Sequence, residues 1–281
     1  ISGVKKLTAN FCPVFFLDIT RDASYERGMH LIALTAVAAA CFQATAIQPL
    51  SSEELTDLHQ HRLELGQQLL TSIEQFRISG IPLGDAMERL VQIQADLVFQ
   101  PVMESPTPEG FPSYSPVGEI VLLEYPSYRM ATASNKEGSN IGFWTLFRHI
   151  TSNDIAMTAP VRMDFEVDGR GRLAAQDMSF LYGSSDLGQA GSQQNVLVQD
   201  VSGGWCISIG VRGEPNAKQR QVLADRLEKW LQDKPELEAI GQLRVMGWNS
   251  PFIAKSKRFY EVQIPVRRTQ SNFVATSITT N

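Results

Sequence analysis

Between positions 117 and 267 one order of segments occurs twice, and this repetition narrows the folds open to the chain more than any other feature. Segments 119–125 and 128–133 read as strand interrupted at Pro126, followed by a predicted helix over about 140–151. Two more strands are predicted over 155–167 and 177–182, joined by the turn residues Asp168-Gly169-Arg170-Gly171. After a Gly- and Ser-rich stretch the order returns. Strands fall at 195–201 and 205–211, a helix at about 216–233 capped by Asn216 with Gln219, and strands at 242–248 and 258–265. Neither unit can bury a helix face and a sheet face by itself, so the two should share a single sheet or barrel about a pseudo-twofold axis. The expected fold class is α+β, built from two pseudo-symmetric β-α-β-β repeats.

A helical hairpin is expected ahead of this domain, over 51–99. Leu55, Leu58, Arg62, Leu65, Leu69, Ser72 and Phe76 recur at spacings of three and four. Ser51 and Glu54 form a capping-box pair at the start, and Ser79-Gly80-Ile81-Pro82 supplies the stop. Leu83, Met87, Leu90, Ile93 and Leu97 then mark a second helix. Two helices of this size bury too little to stand alone, so the stripe needs a partner: the rest of the chain, another copy, or an envelope or membrane component. Pro101, Pro106, Pro108, Pro112 and Pro116 make 100–116 an extended linker, because proline fixes φ and removes a donor. The domain proper is expected over 117–267, with 268–281 a disordered tail.

Segment 1–50 reads as a leader. The apolar run from Met29 to Phe42 would rise roughly 18 Å as a helix against a bilayer core of about 30 Å, which suits a signal-peptide core better than a membrane span. Ala44-Thr45-Ala46 offers a cleavage site, and Ala38-Ala39-Ala40-Cys41 resembles a lipoprotein signal. Export to a periplasm or cell envelope is the expectation, with a cytoplasmic location if the leader is an artefact. Cys12, Cys41 and Cys206 stand too far apart in pattern for a zinc motif or disulfide framework. His59 and His61 lie about 200° apart on a helix and cannot grip one metal. A net charge of −5 without a basic cluster argues against a nucleic-acid partner.

The run Ile155-Ala156-Met157-Thr158-Ala159-Pro160-Val161 carries a family resemblance, as do Glu124-Tyr125-Pro126-Ser127-Tyr128-Arg129 and Trp248-Asn249-Ser250-Pro251-Phe252. With the helix Phe143-Trp144-x-Leu146-Phe147-x-x-Ile150 and the strand Arg258-Phe259-Tyr260-Glu261-Val262, positions 117–267 resemble a SOUL haem-binding protein. The resemblance implies a distorted antiparallel barrel with a helix on each side. It also implies a haem or other tetrapyrrole held in a shallow apolar groove beside the first helix of the barrel, without enzymatic activity.

A porphyrin is a flat apolar plate edged by propionates, so its site needs aromatic and aliphatic walls and a cation or donor at the rim. The residues expected to supply these are Phe143, Trp144, Phe147, His149, Ile150 and Met157. Phe143, Leu146, Phe147 and Ile150 form one helical face, read first as core, while Trp144 and His149 fall about 100° to either side of its centre. Arg148 lies near the opposite face. His149 is the candidate axial ligand, since the domain holds no other histidine, although a surface histidine near a helix end is the favoured reading of it. Two alternatives stay open: an envelope interaction module without haem, and a small-molecule hydrolase using a buried Glu. Against the second, the chain lacks the common nucleophile, metalloprotease and phosphate-loop motifs, and Asp164 with Glu166 reads as a solvent-facing pair.

Overall fold

A computed structural model describes residues 47–80, 83–135 and 139–269. The leader expectations, including Cys12, Cys41 and the cleavage site, lie outside the described residues, as do most of the tail and the Ile81-Pro82 stop. The helical stripe becomes α1 (Ser52–Ser79) and α2 (Asp85–Leu97). Ser51 caps α1 through the reciprocal Glu54 box, and Gly80 ends it in the left-handed region at φ 66°.

The domain then runs β1 (Ile120–Tyr125), β2 (Tyr128–Ser134), α3 (Ser139–Ser152), β3 (Val161–Val167) and β4 (Leu173–Leu181). It continues with β5 (Gly191–Gln193), β6 (Val196–Val201), β7 (Gly204–Arg212), α4 (Ala217–Gln232), β8 (Leu237–Ala239), β9 (Arg244–Gly247) and β10 (Phe259–Arg268). Asn216 and Gln219 cap α4 reciprocally. The expected strand over 155–167 begins only at Val161. Segment 155–160 instead forms a loop in which the Ala159 amide donates to the Pro106 carbonyl and Thr158 Oγ1 to the Leu181 carbonyl, and Pro160 has no N–H for a ladder.

The fold is α+β, with one antiparallel sheet of order β1-β7-β10-β9-β3-β4-β2-β6-β5 and β8 alongside β10. With β5 set aside, exchanging β1, β2, β3 and β4 with β6, β7, β9 and β10 gives the same order read from the other end. β1 thus sits at one end of the sheet and β2 near the other, yet only Pro126 and Ser127 separate them. So short a link forces the sheet to roll until those ends meet, and Phe111 packs edge-on against both Tyr125 and Tyr128 at 5.0 and 5.2 Å.

Strand alternation sorts the two faces. On the outer face Leu122, Ile207, Ile209, Val262 and Ile264 pack with Ala224 and Leu227 of α4, while Ala131, Phe180 and Val198 pack with Leu146 and Ile150 of α3. The inner face mixes Val121, Leu123, Tyr125, Met130 and Met246 with polar side chains. Glu261, Gln263 and Ser208 are fully buried there, and Arg244 nearly so. Gln263 donates to Tyr125 Oη at 2.8 Å and Ser208 Oγ at 3.1 Å, and accepts from Arg244 Nε at 2.9 Å. Arg244 also lies over the Tyr125 ring, 5.3 Å from its centroid. Asp164, read as solvent-facing, is part-buried on this same side and held by Arg162 at 2.8 Å.

The hairpin closes one opening of this rolled sheet. Leu55 and Leu58 join the inner cluster, and Arg62 reaches Glu119 at 2.8 Å and the Val117 carbonyl at 2.7 Å. On α2, Asp96 and Gln92 accept from Arg212 of β7. Segment 100–116 has neither helix nor strand, as its prolines dictate, turning once at 108–111, and Pro101, Pro108, Pro112, Ser115 and Pro116 are buried. Proline carbonyls can be buried this way without stranding a donor. The Ser115 amide donates to Glu261 at 2.6 Å, its hydroxyl to Ser208 at 2.6 Å, and Gly210 donates to the Pro116 carbonyl. A side chain at Gly210 would strike the carbonyl oxygens of Ser115 and Pro116, so the strap lies this close only because position 210 is glycine.

Two outcomes follow from these contacts. Arg62→Ala should lower unfolding free energy by about 3 kcal/mol, since it leaves Glu119 and a buried carbonyl without their cation. Urea unfolding with an unchanged slope would show this, and a loss below about 1 kcal/mol would mean that the hairpin is held by apolar contact alone. Burial raises the Glu261 pKa above its ordinary 4.5. The folded state therefore binds this proton more tightly than the unfolded chain, and stability should fall as pH rises from about 4.5 through the raised value. Glu261→Gln should flatten that decline in urea midpoints measured across pH 4.5 to 8; parallel curves would refute the assignment.

Candidate functional site

The helical period of α3 divides its side chains cleanly. Leu146 and Ile150 are buried against β2, β4 and β6, with Phe143 half-buried beside them. Gly142 lets this helix approach closely, since a Cβ there would come within 3.2 Å of the Ser134 carbonyl and the Asn135 side chain. On the outward side, Trp144 is 58% and Phe147 40% exposed, and Ile141 of the same stripe is also open to solvent. Apolar rings this exposed on an otherwise well-packed helix need a reason beyond folding.

Three aromatic side chains make a fixed surface. The Trp144 ring meets Phe143 edge-on at 5.5 Å and Phe147 edge-on at 5.7 Å, while Phe143 and Phe147 lie nearly parallel at 6.1 Å. Phe143 rests in turn on Phe180 of β4 at 5.3 Å, which couples the surface to the core. Beside it a shallow, largely open cleft runs along one face of α3, lined by Trp144, Phe147, Arg148, Thr151 and Ser152. A flat apolar ligand could lie against the rings with an anionic edge toward the Arg148 guanidinium.

The six residues singled out from the sequence do not converge. Trp144 and Phe147 line the cleft, with Phe143 behind them. Ile150 is core, and Met157 is half-buried in the packing beneath α3. His149 lies on the other flank, about 140° around the helix from Trp144. Its Nε2 is 2.8 Å from Tyr182 Oη, and Asn153 donates to its carbonyl at 2.8 Å. Burial lowers its pKa below the ordinary 6.5, so the ring is neutral near pH 7. Arg148, Thr151 and Ser152 complete the cleft although none was singled out as a site residue. The signal was present: Arg148 and Thr151 follow Trp144 at i+4 and i+7 and so share its stripe.

Other chemistry-bearing groups are engaged elsewhere. Burial pushes the Cys206 thiol up to about 11, which keeps it from acting as a thiolate. The Glu261 carboxyl is closed over by Ser115 and Trp248. His59, half-buried on α1, donates from Nε2 to the Tyr114 carbonyl at 2.9 Å, beside a cavity of about 10 Å³ that has room for little more than a water.

Among curated proteins none matches this chain in sequence. Solved structures of similar architecture include the C-terminal domain of EcmrR, 11% identical over 54% of this chain and 98% of that one at a TM-score of 0.43. A protein described as a hydrolase from Listeria innocua is 12% identical over 55% of this chain and 94% of its own, at a TM-score of 0.40. EcmrR in a complex with DNA covers 82% of this chain and 90% of its own, at 14% identity and a TM-score of 0.42. The family model described as SOUL heme-binding protein matches residues 119–265, more than half of the sequence and all of the rolled sheet with its two helices except the last three residues of β10. The chain therefore belongs to the SOUL haem-binding protein family.

Proposed function

We propose that this protein binds haem or a related tetrapyrrole on the outward stripe of α3, with the macrocycle against Trp144 and Phe147 and a propionate directed to Arg148. The observation that carries the reading is the exposed, core-anchored aromatic surface with a cation at its rim, in a chain of a haem-binding family. These residues suit the group: aromatic faces for an apolar plate, a guanidinium for a carboxylate, and the Ser152 hydroxyl for the wet edge, while the Thr151 hydroxyl donates to the Phe147 carbonyl. Bound haem would supply a redox-active or ligand-binding iron, while the protein supplies orientation and partial exclusion of water.

Axial ligation by His149 sits poorly with this surface. Its Nε2 is committed to Tyr182, and its flank faces away from the cleft. The reading therefore rests on stacking and charge, and His149 serves as a packing residue whose hydrogen bond ties α3 to the chain just past β4.

Haemin titration followed in the Soret region tests this. The wild-type chain should saturate at one equivalent. Trp144→Ala and Phe147→Ala should each weaken binding about tenfold or more, given the apolar area they would lose. Arg148→Glu should weaken haemin more than a porphyrin lacking propionates. His149→Ala should leave affinity and the Soret position close to wild type. A flat titration, or full affinity in the double aromatic variant, would overturn the proposal; a shifted Soret band in His149→Ala would restore the imidazole as ligand.

A further inference from the structure

The loop after β9 places Phe252 almost wholly in solvent, 96% exposed, on a backbone that is fixed rather than free. Arg258 donates to the Pro251 carbonyl at 2.8 Å and the Ile253 carbonyl at 2.8 Å, and is itself paired with Glu214. Glu104 accepts from the Ser250 amide at 2.7 Å and hydroxyl at 2.9 Å, and Asn249 donates to the Val102 carbonyl at 2.6 Å. These bonds staple the strap to the loop, so that exposed Val102 and Met103 flank the same end of the barrel as Pro251 and Phe252. Lys255 and Lys257 follow on an exposed single turn, and among the described residues neither is in an ion pair. The two nearby acids, Glu104 and Glu214, are each already engaged by loop donors or by Arg258.

We infer that this stapled tip is a docking site for an anionic lipid surface, with Phe252, Met103 and Val102 entering the interface and Lys255 and Lys257 meeting the headgroups. The geometry favours a lipid surface over a folded protein partner. A stable protein interface buries about 800 Å² per side, which one protruding ring with two aliphatic neighbours cannot provide. A lipid–water interface accepts a single aromatic at headgroup depth, and its negative potential attracts adjacent lysines. The chain's net charge of −5 would repel such a surface at long range, but that repulsion is screened beyond about 8 Å at physiological salt, leaving the lysines beside Phe252 to set the orientation. Because the loop is already held in place, docking costs little ordering entropy. A single small anchor gives weak, reversible association.

Vesicle flotation of the full chain, with phosphatidylcholine alone or mixed with phosphatidylserine, tests the inference, combined with hydrogen exchange of the peptides covering 102–104 and 250–257. The expected result is binding that rises with phosphatidylserine content, falls with salt, and slows exchange in those two segments. Phe252→Asp should reduce the bound fraction about tenfold or more and abolish the slowed exchange. Lys255→Glu with Lys257→Glu should reduce binding about twenty-five-fold or more, from about fivefold per lysine. Both positions are exposed, so urea midpoints should stay at the wild-type value. Wild-type binding that ignores phosphatidylserine, no wild-type binding, or unchanged binding and exchange in Phe252→Asp would each overturn the inference. The local exchange readout separates this tip from any association made by residues 1–46.

Discussion

Two short links hold the architecture together. Pro126 and Ser127 join β1 to β2, and Ser202 and Gly203 join β6 to β7, although each link connects strands from opposite ends of the sheet. A sheet cannot satisfy both connections while open, so the covalent chain closes the barrel where strand hydrogen bonds do not. Gly203 makes this junction possible, since any Cβ there would press on the backbone of Tyr125, Pro126 and Ser127. Once the sheet is rolled, everything else has a place: helices on the outer face, a polar seam within, and the hairpin across one opening.

The division of labour between the two faces follows. Outside, α3 and α4 bury ordinary apolar surface, and α3 has an outward stripe to spare. Inside, the buried guanidinium of Arg244 is balanced by Gln263 and the Tyr125 ring rather than by a carboxylate at contact distance, and Glu261 is satisfied by amide and indole donors. Such a seam adds less to stability than an apolar core of the same volume, but it penalises any register in which its donors lose their acceptors. The strap is written into this network through Ser115, so the proline-rich segment acts as part of the barrel wall.

Much of this was legible in the residues themselves. The caps of α1 and α4, the span of α3 and the positions of most strands follow from local pattern, because each depends on neighbours three or four positions away. What escaped depends on distant partners. Arg62 fell within the apolar stripe of α1, and only the fold brings Glu119 and the Val117 carbonyl to it. Asp164 alternates with apolar neighbours as a solvent-facing residue would, and nothing local reveals that its side of the strand turns inward. The same holds at the candidate site: helical spacing put Trp144 and His149 on opposite flanks, but the hydroxyl of Tyr182 that occupies His149 lies on another segment.

The strand order also has a bearing on how the protein comes into being. β1 emerges early in synthesis yet finds its hydrogen-bonding neighbour only in β7, while β2 must wait for both β4 and β6. Neither half of the domain can complete its sheet while the other is still inside the ribosome. Nascent chains must carry unpaired strand edges through much of translation, and non-local pairing of this kind slows the search for the native state. The two halves become a single folded object only through the pairs β1–β7, β2–β6 and β3–β9, each of which needs a strand from the later half.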